Sequence, residues 1–122
     1  MASTFDRGRE FEEVARRFLV ERGWTVLGRN VRFGRREIDL IVRRGTTVAF
    51  VEVKGRRGSG YGHPLDAITA RKRSEIHKVA RWWILRHGLD GWEYRFDAVA
   101  VSGRPGETPS VEHVQDAWRM GS

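Results

Sequence analysis

Apolar residues near the start of the chain recur at helical spacing. Within residues 9–21 they share one stripe, which consists of Phe11, Val14, Ala15, Phe18 and Leu19. Gly23 follows in the position where a helix commonly ends on a left-handed residue. The pattern predicts a first amphipathic helix over residues 9–21.

The apolar pattern then changes to that of β-strands. Segments rich in β-branched and aromatic residues span residues 24–33, 37–44 and 47–54, with turn residues around Gly34 and Gly45 between them. The short turn at Gly45 predicts that the second and third strands form an antiparallel hairpin. A Gly-rich, basic loop over residues 55–64 follows.

A second helix is predicted to begin between residues 65 and 70 and to end at Gly88. Its apolar face consists of Ile76, Val79, Ala80, Trp83 and Ile84. A strand over residues 94–101 and a loop over residues 103–109 come next, and residues 110–118 form either a weaker last strand or an irregular tail. This order indicates an α/β sandwich around a mixed sheet, in a single domain spanning residues 1–122.

Three charged residues interrupt the second and third strands. Asp39, Glu52 and Lys54 lie among residues with the apolar character of strands buried on both faces. Buried charges are costly unless they are paired or bind a metal. Two interpretations fit: a site for a hard cation such as Mg²⁺, which prefers carboxylate oxygens, or an exposed strand that carries an outward salt pair.

Strand alternation predicts which side chains share a face. One face of the second strand would carry Glu37, Asp39 and Ile41, and its other face Ile38, Leu40 and Val42. One face of the third strand would carry Val48, Phe50, Glu52 and Lys54. Pairing of the hairpin would then bring Asp39 within reach of Glu52 and Lys54.

The first helix offers a further carboxylate. Helical geometry places Glu12 at the edge of the apolar stripe, Glu13 nearly opposite the stripe and Glu10 off its other side. Glu12 is therefore the expected inward-reaching residue. An ordinary solvated position on the helix flank fits the spacing equally well.

Charge and composition narrow the class of partner. The chain of 122 residues has 23 Lys and Arg against 16 Asp and Glu, a formal net charge of +7 that favours an anionic partner such as nucleic acid. It has no cysteine, which excludes disulfides and thiolate metal sites. With no signal-peptide pattern and no apolar run of about 18 residues, we expect a cytoplasmic protein that is not inserted in a membrane.

Basic residues gather in two places. The second helix carries Arg71, Lys72, Arg73, Lys78 and Arg81, which fit either a phosphate-binding surface or a solvated helix face. In the Gly-rich loop, Arg56, Arg57 and Tyr61 are candidates for substrate contact, with an ordinary flexible loop as the alternative.

Other residues have less specific signals. Trp82 and Trp83 point about 100° apart on a helix, so only one can lie at the centre of the core stripe. Trp82 fits simple packing, base stacking or an oligomer interface. Arg95 and Asp97 share a strand face and either support the site electrostatically or form a structural pair.

Asp39 and the segment Glu52-Val53-Lys54 resemble the Asp…Glu-x-Lys core of restriction-endonuclease-like nucleases. Over residues 8–101 the chain more closely resembles the uncharacterised YraN family, whose fold is similar to Holliday-junction resolvases. Matching segments span residues 12–15, 18–19, 23–24, 29–30, 50–54 and 95–97, together with Thr69 and Lys72. The resemblance implies a restriction-endonuclease-like sandwich with the element order αβββαβ.

The resemblance also implies roles for site residues. Asp39, Glu52 and the Val53 carbonyl would bind Mg²⁺ or Mn²⁺, and Lys54 would orient or activate the attacking water. Glu12 would support the metal or its waters, and Glu37 would lie either just outside the metal ligands or close to the substrate. Resemblance to resolvases further implies DNA as partner and a symmetric homodimer.

Three function classes follow from these observations. The first is a metal-dependent nuclease that hydrolyses phosphodiester bonds in DNA, with structured or branched DNA as the expected substrate. The second is a non-catalytic nucleic-acid-binding protein that keeps the acidic cluster for folding. The third is a basic adaptor for an acidic protein.

Overall fold

The computed structural model describes residues 4–57, 62–104 and 106–119. Its helices are α1 (Thr4–Glu21), a short 3-10 helix (Pro64–Ala67) and α2 (Ala70–His87). Its strands are β1 (Thr25–Phe33), β2 (Arg36–Arg44), β3 (Thr47–Arg56), β4 (Glu93–Ser102) and β5 (Ser110–Trp118). None of the helices within these residues is long and apolar enough to cross a membrane.

The strands form one five-stranded sheet in the order β1-β2-β3-β4-β5. Strands β3 and β4 pair in parallel and the other neighbours are antiparallel, so the predicted mixed sheet is confirmed. The segment left open between a strand and a tail is strand β5, which pairs with β4. Helix α1 begins at Thr4, earlier than predicted, because its first turns precede the apolar stripe on which the prediction was based.

One helix covers each face of the sheet. Helix α1 packs its stripe onto β3 and β4 residues that include Ala49, Val51 and Val99. Helix α2 packs onto the other face, where Phe50 is fully buried among Trp83, Phe96 and neighbouring apolar side chains. The central strands are therefore buried on both faces, which explains their nearly continuous apolar runs. The α/β sandwich predicted from the sequence is confirmed.

The predicted alternation along β2 is wrong at one point. Ile38 and Ile41 both pack on the α2 face, whereas Leu40 and Val42 both pack on the α1 face. Asp39 and Leu40 therefore both point away from the face covered by α2. The regular alternation of side chains between the two faces is interrupted between these two residues. Ile41 consequently does not share a face with Asp39.

The same interruption occurs on the partner strand and has a backbone cause. The β1–β2 register runs through Arg29↔Leu40 and Val31↔Ile38 and omits Asn30 and Asp39 between them. Asn30 adopts a left-handed conformation with φ of +47°, which asparagine tolerates better than most residues. The two strands thus change phase together at this point without a shift in their register, which shifts separately between Val26 and Gly28.

The N-terminal half of α1 approaches the end of β3 closely at one glycine. A Cβ atom on Gly55 would lie 1.9 Å from Cδ2 of the Phe11 ring, so the absence of a side chain at this position makes the contact feasible. Phe11 is the residue before Glu12. The Phe11–Gly55 contact therefore sets how Glu12 is presented to the sheet.

We expect Gly55→Ala to lower the free energy of unfolding by about 1–3 kcal/mol, because the added methyl overpacks against the Phe11 ring. Chemical denaturation measures this change. Gly62→Ala is the control, since among the described residues its Cβ would meet only Asp66 Oδ2, at 3.7 Å. Adding Phe11→Ala to Gly55→Ala should remove the overpacking; additive losses would contradict this account.

Candidate metal and nucleic-acid site

The candidate site lies where strands β2 and β3 separate. Their pairing runs from Arg44↔Thr47 to Leu40↔Val51 and goes no further toward the start of β2. Beyond this point the Asp39 side chain takes the place of a backbone acceptor, because its Oδ2 accepts the Val53 N–H at 2.7 Å. The carboxyl group of Asp39 is thereby held in the fork between the two strands.

Half-buried Asp39 and buried Glu52 form an acidic pair in this fork. Glu52 is only 4% exposed and interacts with Asp39 through a side-chain hydrogen bond. Burial, assisted by this hydrogen bond and the negative charge of Glu52, raises the pKa of Asp39 to about 8. The Val53 N–H and Lys72 oppose the rise. Near neutral pH the pair therefore retains a proton unless a cation replaces it.

Lys72 approaches the acidic pair from the α2 side. Its Nζ lies 3.6 Å from Glu52 Oε2, an oxygen that is buried and has no hydrogen-bond partner within the described residues. Thr69 caps α2 by accepting the Lys72 N–H at 3.1 Å, which places this lysine in the first turn next to the sheet. Lys72, predicted only as a contact for nucleic acid, therefore also lies at the acidic pair.

Two more carboxylates reach Asp39 from the α1 side. Oxygen atoms of Glu12, Glu37 and Asp39 all lie within 4.8 Å of one another. The amide Nδ2 of Asn30 donates to Glu12 at 3.0 Å and to Glu37 at 2.8 Å, so it holds the two carboxylates on either side of itself. Burial, with the charges of Asp39 and Glu37, raises the pKa of Glu12, while the Asn30 amide lowers it.

The donors fit a hard divalent cation. A cluster of half-buried carboxylates supplies the oxygen ligands that Mg²⁺ and Mn²⁺ prefer. The arrangement differs from the predicted set of ligands, because Glu12 and Glu37 group with Asp39, whereas Glu52 joins the cluster through Asp39. Val53 contributes its N–H to Asp39, and its carbonyl stays a predicted ligand.

Lys54 lies near the end of β3, half-buried and two residues beyond Glu52. Alternation from the buried Val48 and Phe50 places both Glu52 and Lys54 on the face covered by α2. The site thus combines groups from both sides of the sheet. Glu12 and Glu37 reach it from the α1 side, and Glu52 and Lys72 from the α2 side.

The predicted nucleic-acid contacts lie in different surroundings. Arg71 and Lys78 are exposed on α2, and the Arg71 guanidinium forms an ion pair with Glu75 at 3.7 Å. Arg56 donates to the Gly62 carbonyl at 3.0 Å and so connects the two ends of the Gly-rich loop. Arg57 is exposed beside this loop, and Tyr61 lies outside the described residues.

Arg95 and Asp97 form the structural pair that the sequence left as one alternative. Asp97 is fully buried and accepts hydrogen bonds from Arg95, His113 and the N–H of Asp116. Asp116 has φ of +50°, and the β4–β5 register shifts between Phe96 and Ala98. The pair therefore stabilises the irregular pairing of β5 with β4. Its hydrogen bonds within the described residues do not involve the acidic cluster.

Sequence reasoning assigned no role to Asn30. The structure makes it the residue that bridges Glu12 and Glu37 and the point where β1 changes phase. A signal was present, because asparagine is disfavoured inside strands and favoured where φ is positive. Its partners could not be read from the chain, since Glu12 is 18 residues away in a helix.

Comparison with known proteins assigns the family. A model of the uncharacterised protein family UPF0102 matches residues 11–101, which is most of the chain. The chain belongs to this family. A UPF0102 protein of Rhodococcus jostii is 41% identical over 118 residues, covering 97% of this chain and 100% of the relative.

Further relatives come from other bacteria. A UPF0102 protein of Clavibacter michiganensis is 43% identical and covers 92% of this chain and 95% of the relative. One from Chloroherpeton thalassium is 45% identical and covers 77% and 73%. Thus the suspected YraN assignment is confirmed, because YraN and UPF0102 denote the same family.

Among solved structures, Pyrococcus furiosus SfsA in complex with Ca²⁺ aligns with a TM-score of 0.37 at 12% identity. The alignment covers 93% of this chain and 64% of the SfsA chain.

The acidic pair predicts a specific dependence of stability on pH. Because the pKa of Asp39 is raised when folded, the folded state binds an extra proton between pH 4 and pH 8, and stability falls as pH rises through this window. Asp39→Asn mimics the protonated side chain. In EDTA, the wild type should lose about 2 kcal/mol more than Asp39→Asn between pH 5 and pH 8, within the limit of about 1.4 kcal/mol per pH unit. Denaturation curves at several pH values measure this, and parallel trends for both proteins would refute the raised pKa.

Proposed function

We propose that this UPF0102 protein is a metal-dependent nuclease that hydrolyses phosphodiester bonds in DNA. One observation carries the proposal. Asp39 shares a proton with the buried Glu52, and it also belongs to a cluster in which Glu12, Glu37 and Asp39 place oxygen atoms within 4.8 Å of one another. Four carboxylates placed close together contribute little to the stability of a protein. Their presence in one region therefore favours a binding site for a cation.

The residues have distinct proposed roles. Asp39, Glu12 and Glu37 supply oxygens for Mg²⁺ or Mn²⁺, and Glu52 becomes a further ligand when the pair gives up its proton. A divalent cation supplies electrostatic stabilisation of the phosphate and lowers the pKa of a bound water. Lys54 would orient the attacking water. Lys72 partly neutralises the charge of Glu52, which lies 3.6 Å away, and would contact a phosphate oxygen of the substrate.

The charge of the chain supports an anionic polymer as substrate. Its net charge is +7 although four carboxylates are concentrated at one end of the β2–β3 pair. Exposed cations on α2, among them Arg71 and Lys78, attract a phosphate backbone. Bacterial DNA is the anionic polymer that we propose as substrate. We also propose that the protein acts in the cytoplasm.

A second function is favoured by the hydrogen bond that Asp39 already makes. Because Asp39 accepts the Val53 N–H, it supports the fold at the fork even without a metal. The protein would then bind nucleic acid without cutting it. The acidic cluster would be a structural feature, and divalent cations would have little effect on the protein.

The deciding experiment is cleavage of labelled duplex, single-stranded, flap and four-way-junction DNA in Mg²⁺, Mn²⁺ or EDTA. We expect wild type to cut only with metal, and Asp39→Asn and Lys54→Ala to be at least about 100-fold slower because each removes a group that acts in the transition state. Calorimetric titration with Mn²⁺ should show weaker binding by Asp39→Asn.

Glu21→Ala is the matched control, because Glu21 is an exposed carboxylate at the opposite end of α1 from the site. It should cut as wild type does. If no DNA is cut, Mn²⁺ does not bind, and all variants bind DNA equally well, the non-catalytic function replaces the nuclease.

We expect DNA affinity to depend on salt through the cations of α2. Replacing both Arg71 and Lys78 by Gln should lower duplex affinity and flatten the slope of log K against log salt by about 0.9 for each lost phosphate contact. Fluorescence anisotropy in EDTA measures the slope. Arg119→Gln is the control, because it changes an exposed cation at the end of β5 and should leave the slope unchanged. If Arg119→Gln flattens the slope as much as the double variant of α2 does, α2 is not the contact surface.

A further inference from the structure

An aromatic pair lies where the end of β1 meets α2. Phe33 ends β1, and its ring stacks on Trp82 of α2 with centroids 5.4 Å apart and an angle of 27°. The Arg86 guanidinium carbon lies 5.2 Å from the Trp82 centroid. Trp82 is thus held by Phe33 and Arg86, whereas Phe33 itself remains 39% exposed.

The β1–β2 turn explains why a phenylalanine is held at the surface. Phe33 pairs with Arg36 across a two-residue turn that begins with Gly34 at φ of +66°, the positive value that a type II′ turn requires at this position. Contact with Trp82 fixes the inner side of the ring. Its remaining surface faces solvent.

The surroundings of Phe33 are cationic. Arg32 and Arg35 are exposed beside it, and its cross-strand partner Arg36 is half-buried. The only acidic side chain in this hairpin turn region, residues 32–37, is Glu37, which Arg32 pairs with at 3.1 Å. An apolar ring surrounded by arginines matches the two parts of a nucleotide, a flat base and an anionic phosphate.

The distance between Phe33 and the candidate site suits a short segment of nucleic acid. Arg36, its pairing partner, precedes Asp39 by three residues, or about 10 Å along a strand. That separation corresponds to about three stacked nucleotides. On α2, Arg71, Lys78 and Trp82 share one flank at spacings of seven and four residues, so cations lead from the region of Lys72 toward the aromatic pair.

We propose that the outer face of Phe33 stacks on an unpaired base of the DNA substrate. The proposal rests on the proposed function, and it defines the substrate class as DNA with a single-stranded or frayed segment beside the scissile phosphate. A paired base inside a duplex cannot present its face to a side chain without unstacking. Blunt duplex would therefore bind through its phosphates alone.

The test compares binding of single-stranded and blunt duplex oligonucleotides in EDTA, where cleavage is prevented. Phe33→Ala should weaken single-strand binding by about 5- to 150-fold, the range for loss of one base–aromatic stack, and change duplex binding less than about 2-fold. Phe33→Trp should restore single-strand binding. A 2-aminopurine in the single strand should be quenched by wild type and Phe33→Trp but not by Phe33→Ala.

Leu85→Ala is the control, because Leu85 is an apolar side chain of α2 that is 89% exposed. It should leave both affinities unchanged. The proposal is overturned if Phe33→Ala binds single strands as wild type does, if it weakens both DNAs equally, or if Leu85→Ala has the same effect.

These outcomes separate the inference from the nuclease proposal. If wild type cuts DNA with metal and Phe33→Ala keeps full single-strand affinity, only the stacking role fails. If no metal-dependent cleavage occurs but the Phe33 effects appear in EDTA, the stacking surface stands and the protein binds DNA without cutting it.

Discussion

The arrangement of the site depends on one hydrogen bond, which the Val53 N–H donates to the Asp39 carboxyl group. It occurs where the β2–β3 ladder ends, so a side chain supplies the acceptor that the departing strand no longer provides. The bond fixes Asp39 in the fork and brings it against Glu52. Without it, the carboxylate could turn to solvent, and the cluster with Glu12 and Glu37 would lose its central member.

The cost of this arrangement is electrostatic. Four carboxylates share one region, and the burial of Asp39 raises its pKa toward the physiological range. Local donors offset part of the repulsion: the Asn30 amide bridges Glu12 and Glu37, and Lys72 approaches Glu52. A divalent cation would offset more of it, which makes the site a candidate for coupled metal binding and proton release.

Two buried acidic groups in this fold illustrate different uses of a carboxylate. Asp97 is fully buried, but its oxygens accept hydrogen bonds from Arg95, His113 and a backbone N–H. These bonds satisfy the carboxylate without a ligand. Glu52 is almost as buried, but its Oε2 has no hydrogen bond within the described residues and only a 3.6 Å approach from Lys72. The contrast distinguishes a structural carboxylate from one with capacity for a ligand.

The amino-acid sequence by itself determined the two α-helices, the first four strands, the mixed sandwich and the set of charged residues placed among buried strands. These properties follow from the local geometry of the chain, because apolar periodicity reports which face of a helix or strand is covered. Asp39, Glu52 and Glu12 could be singled out in this way. The tertiary structure alone decided that alternation slips at Asn30 and Asp39, that Glu37 joins the cluster, that Lys72 approaches Glu52 and that Arg95 and Asp97 fasten β5. Each of these depends on contacts between residues far apart in the chain, and such contacts leave no periodic trace in the sequence.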